Sequence, residues 1–535
     1  MEDPFLRRAG PHVPRRLGCD PVRVLVWHGF LLGGTGSNVY NARLCAAFAQ
    51  QGHEISLLSQ EPHAKSLQFI DAIGHPDGLE VLREPVRVTA WKPDIGGLLP
   101  VYVADRYEGV EARTYLEISD AELEAYLARN VDAVRAVCAV QPPDVALANH
   151  LVMGPVVLAR ALGDSVPYAV KIHGSALEYV VKRDPERFLP YAREGLAPAR
   201  TVLVGSRHTA QSLWAAMGDD ELPQRTRLGP PGVDIAEFRP LPDAPARVAV
   251  LADELEHQPP SAVESAFSRD PGAAAVALRS LRREDRHVVF VGKLIVSKGV
   301  DVLVAAWPLV LSREPAARLV IVGFGAYRAA LERLLAALAA GDLGAVRALA
   351  QEGRAAEGGP RAPLRHLLAF LDTIDDAYLR AARTLPERVV LTGRLEHAEL
   401  APLLALAEAQ VVPSTFPEAF GMVAAEAAAC GALPVSSDHS GLAEVTRTLA
   451  NAVPAAARPW LAFPTGDVRG LADRLVSWLQ APEDLRDATR AALVQVARTL
   501  FLGGRSRWRD RGRRGPSGRP AAALTPGRPC LRTSG

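Results

Sequence analysis

Short apolar runs alternate with helix-length stretches in two successive sets along this chain, and that alternation restricts the fold more than any other feature. In the first half the apolar runs recur near 22–27, 54–58, 145–148, 168–172 and 201–205, with helical stretches between them that include 39–51 and 120–140. The second half repeats the pattern at 288–291, 318–322, 388–392, 409–413 and 433–436. Apolar strands separated by helices predict parallel sheets covered on both faces. A chain of 535 residues exceeds what one core accommodates. The expectation is an α/β protein of two doubly wound, Rossmann-like domains facing across a cleft. Ligands of such sheets bind outside the carboxyl ends of the strands.

Chemistry-bearing residues fall at those ends. The run Gln410-Val411-Val412-Pro413 leads into Ser414-Thr415-Phe416-Pro417-Glu418-Ala419-Phe420-Gly421-Met422-Val423-Ala424-Ala425-Glu426. Two glutamates, Glu418 and Glu426, stand eight positions apart at the start of an Ala-rich helix. Each carboxylate can accept hydrogen bonds from two hydroxyls, which suits a polyhydroxylated ligand. Eight helical residues rise by about 12 Å, an upper limit because Glu418 precedes the helix. That is close to the span from a sugar ring, across a diphosphate, to a ribose. The helix N-terminus near Phe420, Gly421 and Met422 would face the phosphates. The competing reading is a solvated Glu418 and a Glu426 on an exposed helix face. Further upstream, Val288-Val289-Phe290-Val291 runs into Gly292-Lys293-Leu294 and then Ser297-Lys298-Gly299-Val300-Asp301. Lys293 and Lys298 at a strand-to-helix turn make a diphosphate clamp; two solvated surface lysines are the alternative.

In these two motifs and their order the chain resembles the large retaining glycosyltransferases of family 4, which have the GT-B fold. Their C-terminal domain carries a Gly-Arg-Leu…Lys-Gly-x-Asp segment and a Glu-x7-Glu segment, and the resemblance covers roughly residues 22–480. Lys293 stands where the family usually has Arg, which keeps the charge and loses the bidentate fork. Ala419 stands where Gly is more usual. Gly33-Gly34-Thr35-Gly36-Ser37-Asn38 follows the first strand; in the family such a loop lies over the cleft, close to donor phosphate and acceptor. It is not a dinucleotide fingerprint, because the third glycine would fall at Val39. Lys171-Ile172-His173-Gly174 matches a His-Gly that the family places near the donor sugar. Gly229-Pro230-Pro231-Gly232-Val233-Asp234 matches the segment at the domain crossover. Gly393-Arg394-Leu395 matches the loop that borders the base.

The resemblance implies transfer of a hexose-type sugar from a nucleotide-diphosphate sugar to a hydroxyl acceptor (glycan, lipid or small polyol), with retention of configuration. Lys293, Lys298 and the helix N-terminus would stabilise the leaving diphosphate. Glu418 would hold donor-sugar hydroxyls and Glu426 the ribose, and His173 would contact the sugar and the reacting end. Front-face attack, with the donor phosphate helping to deprotonate the acceptor, requires no protein nucleophile. No Asp-x-Asp occurs in the chain, so a divalent metal is not expected to hold the diphosphate; the expectation is a nucleotide-diphosphate sugar as substrate and no cofactor. Two other classes stay open: a sugar-nucleotide isomerase on the same scaffold and a non-catalytic nucleotide-sugar-binding protein.

A formal net charge of +1 gives no global reason to expect a nucleic-acid partner. Five scattered cysteines point to a reducing, cytoplasmic setting without a structural metal. No apolar run approaches the 18 residues a membrane span needs. Residues 1–20, with Arg7, Arg8, Arg15 and Arg16, read as a flexible leader; contact of its arginines with anionic lipid at the inner face of the membrane is the alternative. Residues 21–235 form the expected acceptor-side domain, 236–286 an inter-domain segment, and 287–500 the donor domain with an added helical hairpin at 326–387. Residues 501–535 hold nine Arg against one Asp among Gly and Pro. Such a tail cannot bury a core and reads as disordered. A change of reading frame would account for it, and a basic RNA- or membrane-binding tail is the functional alternative.

Overall fold

The computed structural model describes residues 21–103, 106–260 and 267–500. The expectations for residues 1–20 and 501–535 lie outside the described residues. In the first domain, the strands are β1 (Arg23–Trp27), β2 (Glu54–Leu58), β3 (Ala72–His75), β4 (Gly78–Val81), β5 (Val88–Trp91), β6 (Leu98–Val101), β7 (Glu111–Thr114), β8 (Val145–Asn149), β9 (Tyr168–Ile172), β10 (Thr201–Val204) and β11 (Thr226–Leu228). Nine of them form one sheet in the order β11-β10-β9-β8-β1-β2-β5-β3-β4, while β6 and β7 pair separately. The pair β3–β4 is antiparallel; β1 runs parallel to both β2 and β8. Val24, Leu25, Val26 and Trp27 are all buried, as a strand covered on both faces requires. The helix Asp120–Val140 starts at a Ser119–Glu122 capping box.

The second domain contributes β12 (Arg286–Val291), β13 (Ala317–Val322), β14 (Val389–Gly393), β15 (Ala409–Val412), β16 (Leu433–Ser437) and β17 (Ala462–Phe463). Their order is β14-β13-β12-β15-β16-β17, and every pairing is parallel. The winding reverses between β12 and β15, and the loops leaving those two strands therefore open a crevice. Both motifs of the donor reading leave from these strands.

Two stretches add more structure than the sequence pattern indicates. Residues 236–286, read as an inter-domain segment, supply the helices Ala244–Glu256 and Pro271–Arg279. Val248, Leu251, Leu255, Ala274 and Leu278 place these helices in the core of the second domain. The insertion is larger than a hairpin. Helices Arg328–Ala340 and Leu343–Glu352 are followed by a turn, Arg354–Glu357, and by three further helices ending at Arg388. Leu331, Leu334, Val346, Leu367 and Phe370 join the same core. Tyr378 Oη donates to the Ala305 carbonyl at 3.0 Å. Among the described residues no helix is long and apolar enough to cross a membrane.

Candidate functional site

A cleft of about 430 Å³ lies between the carboxyl ends of the two sheets. Its second-domain wall begins where β12 ends, at Gly292 and Lys293, and both line the cleft. The chain then makes the tight turn Val296–Lys298 and passes through Gly299 at φ +66°. A Cβ on Gly299 would fall 2.0 Å from the Pro413 carbonyl oxygen, so only glycine lets this turn pack on the end of β15. Thr415 N–H donates to the Ser297 carbonyl at 3.0 Å. The turn thereby delivers Lys298 to Glu418, with Nζ donating to Oε1 at 2.5 Å. Ser414 Oγ donates to the same oxygen at 2.6 Å, and Glu418 N–H donates to Ser440 Oγ at 2.8 Å. The Lys298 side chain is 34% exposed and that of Glu418 19%. Burial opposes both charges, but the pair outweighs it. The Glu418 carboxylate holds the Lys298 pKa above its ordinary value, and Lys298, with Ser414, holds the Glu418 carboxyl below its ordinary value. A cation and a carboxylate are thus fixed together at the switch point, and the ammonium has three donors to share.

From Glu418 the backbone reaches Gly421, at φ +101°, and enters the helix Met422–Cys430. Phe420, Gly421 and Met422 line the cleft at this N-terminus. One turn further, Glu426 is 3% exposed. The competing reading, which puts Glu426 on an exposed helix face, is therefore excluded: the Ala-rich helix is buried around its circumference, from Ala424 to Cys430. Glu426 Oε1 meets His397 Nε2 at 2.8 Å. His397 belongs to the loop after β14, which also brings Arg394 and Leu395 to the cleft. Arg394 donates to the Phe267 carbonyl at 2.6 Å and to Glu396 Oε1 at 2.8 Å. The first-domain glycine loop closes over it. A Cβ on Gly33 would lie 3.2 Å from Arg394 Nη2, and one on Gly34, at φ +84°, would lie 2.6 Å from the Phe267 ring. Gly34 lines the cleft directly.

His173 stands on the first-domain wall, just past β9. Its Nε2 lies 2.8 Å from Asn149 Oδ1, and Asn149 Nδ2 donates to the Trp27 carbonyl at 3.2 Å. That orientation makes Asn149 Oδ1 the acceptor, so His173 Nε2 carries the proton and Nδ1 is left as an acceptor. Burial, then the neighbouring His150, Lys171 and His28, push its pKa well below the ordinary histidine value. His173 can therefore take part as a neutral hydrogen-bonding group. Burial also lowers His28 to about 4 and Lys171 to about 7.

The domains meet around the same cleft. Tyr179 Oη donates to Ser297 Oγ at 3.1 Å, and its ring stacks on Phe416 at 4.6 Å. Glu444 accepts from the N–H groups of Arg207 at 3.0 Å and His208 at 2.7 Å. Ala419, the departure from the family's glycine, fits because Gly174 faces it: a Cβ on Gly174 would lie 3.0 Å from the Ala419 methyl. Of the partners that sequence reasoning missed, His397 sits three residues past Arg394 in a loop already singled out, and Ser414 opens the glutamate segment. Tyr179 and Glu444 carry no local signal, since both act across the domain interface.

Two parallel-sheet domains facing over a cleft of this composition define the GT-B class of fold. The sequence profile described as a glycosyl transferase 4-like domain matches residues 35–222, and profiles described as glycosyl transferases group 1 match residues 285–355 and 377–495. The chain belongs to this family of group 1, 4-like glycosyltransferases. It is 30% identical over 220 residues to glycogen synthase of Mycobacterium tuberculosis, across 40% of this chain and 39% of that one. It is 29% identical over 262 residues to the GDP-mannose-dependent alpha-(1-6)-phosphatidylinositol monomannoside mannosyltransferase of Mycolicibacterium smegmatis, across 49% of this chain and 54% of that protein. The matched stretch thus spans about half or less of these relatives. Among solved structures, sucrose-phosphate synthase from Thermosynechococcus elongatus aligns over 90% of this chain and 95% of its own, with a TM-score of 0.56 at 19% identity. An Anabaena protein solved in complex with UDP-glucose aligns over 90% and 96%, with a TM-score of 0.54 at 15% identity. These likenesses concern the fold.

Proposed function

We propose that this protein transfers a glycosyl group from a nucleotide-diphosphate sugar to a hydroxyl acceptor, with retention at the anomeric carbon and without a metal ion. The observation that carries the reading is one helical unit with two differently held carboxylates. Glu418 is ion-paired to Lys298 just before the helix, and Glu426 is buried against His397 inside it. A diphosphate between them would meet Lys298, Lys293 and the helix N-terminus at Met422, where negative charge is favoured. As the bond to the anomeric carbon breaks, charge builds on the leaving phosphate, and these fixed donors stabilise it without reorganising. Glu418, held ionised by Lys298 and Ser414, accepts from sugar hydroxyls. Glu426 and His397 take the ribose, and Arg394 and Leu395 border the base. His173 offers a neutral acceptor to the sugar. Since Glu418 is engaged by its ion pair, no protein nucleophile is invoked, and the donor phosphate takes the acceptor's proton. The chain has no Asp-x-Asp, and the lysines take the role a bridging cation would otherwise have. The mannosyltransferase relative acts on a GDP-sugar and the Anabaena protein was solved with a UDP-sugar, which supports a nucleotide-sugar donor while leaving the base open. Free, buried Cys45 and Cys430 support a reducing, cytoplasmic setting.

The test is a screen of UDP-, GDP- and ADP-hexoses against glycan, lipid and polyol acceptors. Nucleotide diphosphate released in equal amount with an α-linked product from an α-linked donor supports the reading. Interconversion of the donor without release of nucleotide would indicate the isomerase.

A further inference from the structure

The insertion between β13 and β14 reaches the back of the lysine turn, and we propose that its Glu357 is a positioning residue for Lys298. This inference rests on the nucleotide-sugar reading of the cleft and assigns part of that site to the inserted segment. Glu357 Oε2 accepts the backbone N–H of Val296, the first residue of the turn, at 2.6 Å. Its other oxygen accepts from Arg354 Nε at 3.0 Å, and the Glu357 side chain is only 7% exposed. Ser297 and Lys298 line the cleft, whereas Val296 and Glu357 do not. The carboxylate therefore holds the turn from behind.

The insertion is built to present that carboxylate. Gly353 adopts φ +55°, and a Cβ there would fall 1.9 Å from the Ala362 carbonyl oxygen. That close approach lets Arg354 N–H donate to the same carbonyl at 3.1 Å and closes the loop that carries Arg354–Glu357. The lysine turn is held on two other sides, by Thr415 N–H on the Ser297 carbonyl and by Tyr179 on the Ser297 hydroxyl. Within the turn, Lys298 N–H donates to the Ile295 carbonyl at 3.0 Å and Gly299 N–H to the Val296 carbonyl at 2.9 Å. Tilting Val296 therefore moves Lys298. A further sign of engagement lies in Asp301, one turn on. Burial, with a smaller push from Glu357, raises its carboxyl to about 7, so the Glu357 charge is felt at the start of the helix that follows the turn.

The test uses the full chain and its Glu357→Ala, Glu357→Asp, Glu357→Gln, Lys298→Ala and Lys298→Ala/Glu357→Ala variants. Each is titrated with UDP, GDP and ADP by calorimetry, and its melting temperature is recorded. Glu357→Ala should weaken the nucleotide that the wild type binds by roughly tenfold, the low end of what one charge-assisted hydrogen bond carries, because Glu357 acts on the nucleotide only through Lys298. Glu357→Asp, which withdraws the oxygens by one methylene, should weaken it as well and keeps the test open if the alanine variant does not fold. Glu357→Gln retains an acceptor for Val296 N–H and should recover most of the affinity. Because Glu357 acts through Lys298, the double variant should bind no more weakly than Lys298→Ala alone. Wild-type affinity in the alanine and aspartate variants, with or without a lower melting temperature, overturns the inference, as does full additivity in the double variant. If the wild type binds none of the three nucleotides, the reading of the cleft fails and takes this inference with it.

Discussion

Replacing Lys298 with alanine is the sharpest perturbation of the site. The change removes the 2.5 Å bond to Glu418 Oε1 and leaves that carboxylate with Ser414 as its side-chain donor. Breaking a fully buried ion pair costs about 3–5 kcal/mol. Here the lysine side chain is 34% exposed, and solvent screening reduces the cost to the range of one charge-assisted hydrogen bond, about 1.5–3 kcal/mol at most. The pair's effect on stability has a definite pH window. Glu418 lies below its ordinary pKa, so its contribution is present at neutral pH and is lost as pH falls through the folded value. Lys298 lies above its ordinary 10.5, so its contribution is present below that value and is lost as pH rises through the folded one. Without Lys298, burial acts unopposed by its main partner and the Glu418 pKa rises. Nucleotide diphosphate binding should fall about a hundredfold, since loss of a charged hydrogen bond to phosphate costs about 3 kcal/mol. Calorimetry with UDP, GDP and ADP reads the affinity, and chemical denaturation from about pH 3 to about pH 11, which spans both windows, reads the stability. Wild-type nucleotide affinity in Lys298→Ala would refute the phosphate assignment.

The two glutamates should separate by assay. Glu418→Gln keeps the shape but weakens charge-assisted bonds, so turnover drops by about one to two decades while free nucleotide diphosphate binds nearly as before; Glu426→Ala weakens the nucleotide itself. Equal loss of nucleotide affinity in both variants would show that they do not divide the donor. Activity should persist in EDTA, whereas complete loss restored by Mg²⁺ or Mn²⁺ would replace the lysine-based account. Gly299→Ala should lose nucleotide binding and about 2–4 kcal/mol of stability, because its Cβ meets the Pro413 carbonyl at 2.0 Å and its φ is positive; wild-type melting and binding would show that the turn is looser than described.

Much of the scaffold was legible because its signals are local. β2 and β9 begin and end where the apolar runs at 54–58 and 168–172 do, and the helix Asp120–Val140 matches its expected bounds. Strands β3 to β5 carry no comparable local signal. They are four residues long, and Gly74, His75, Pro76, Asp77 and Gly78 interrupt their apolar pattern. Residues 236–286 looked like linker because Pro and acidic residues dilute the spacing of Val248, Leu251 and Leu255, which buries only once β12 and its neighbours exist. At the site, Lys298 and Glu418 were recognisable from residue type and position at strand ends, but their ion pair was not. Glu426 illustrates the limit of a linear motif: its burial depends on what packs around the Ala-rich helix, and His397 arrives from a different strand. Glu357 could not be anticipated, because the loop that carries it meets Val296 from 61 residues away.

The central claim concerns where a donor lies, and a crystal structure of the protein with a bound nucleoside diphosphate tests it most directly. The account predicts the distal phosphate beside Lys298 and the N–H groups at Met422, the ribose hydroxyls within hydrogen-bonding distance of Glu426, and the base against the Arg394–Leu395 loop. A nucleotide bound outside this cleft, or bound with its ribose at Glu418 and its phosphates away from Lys298, would contradict it.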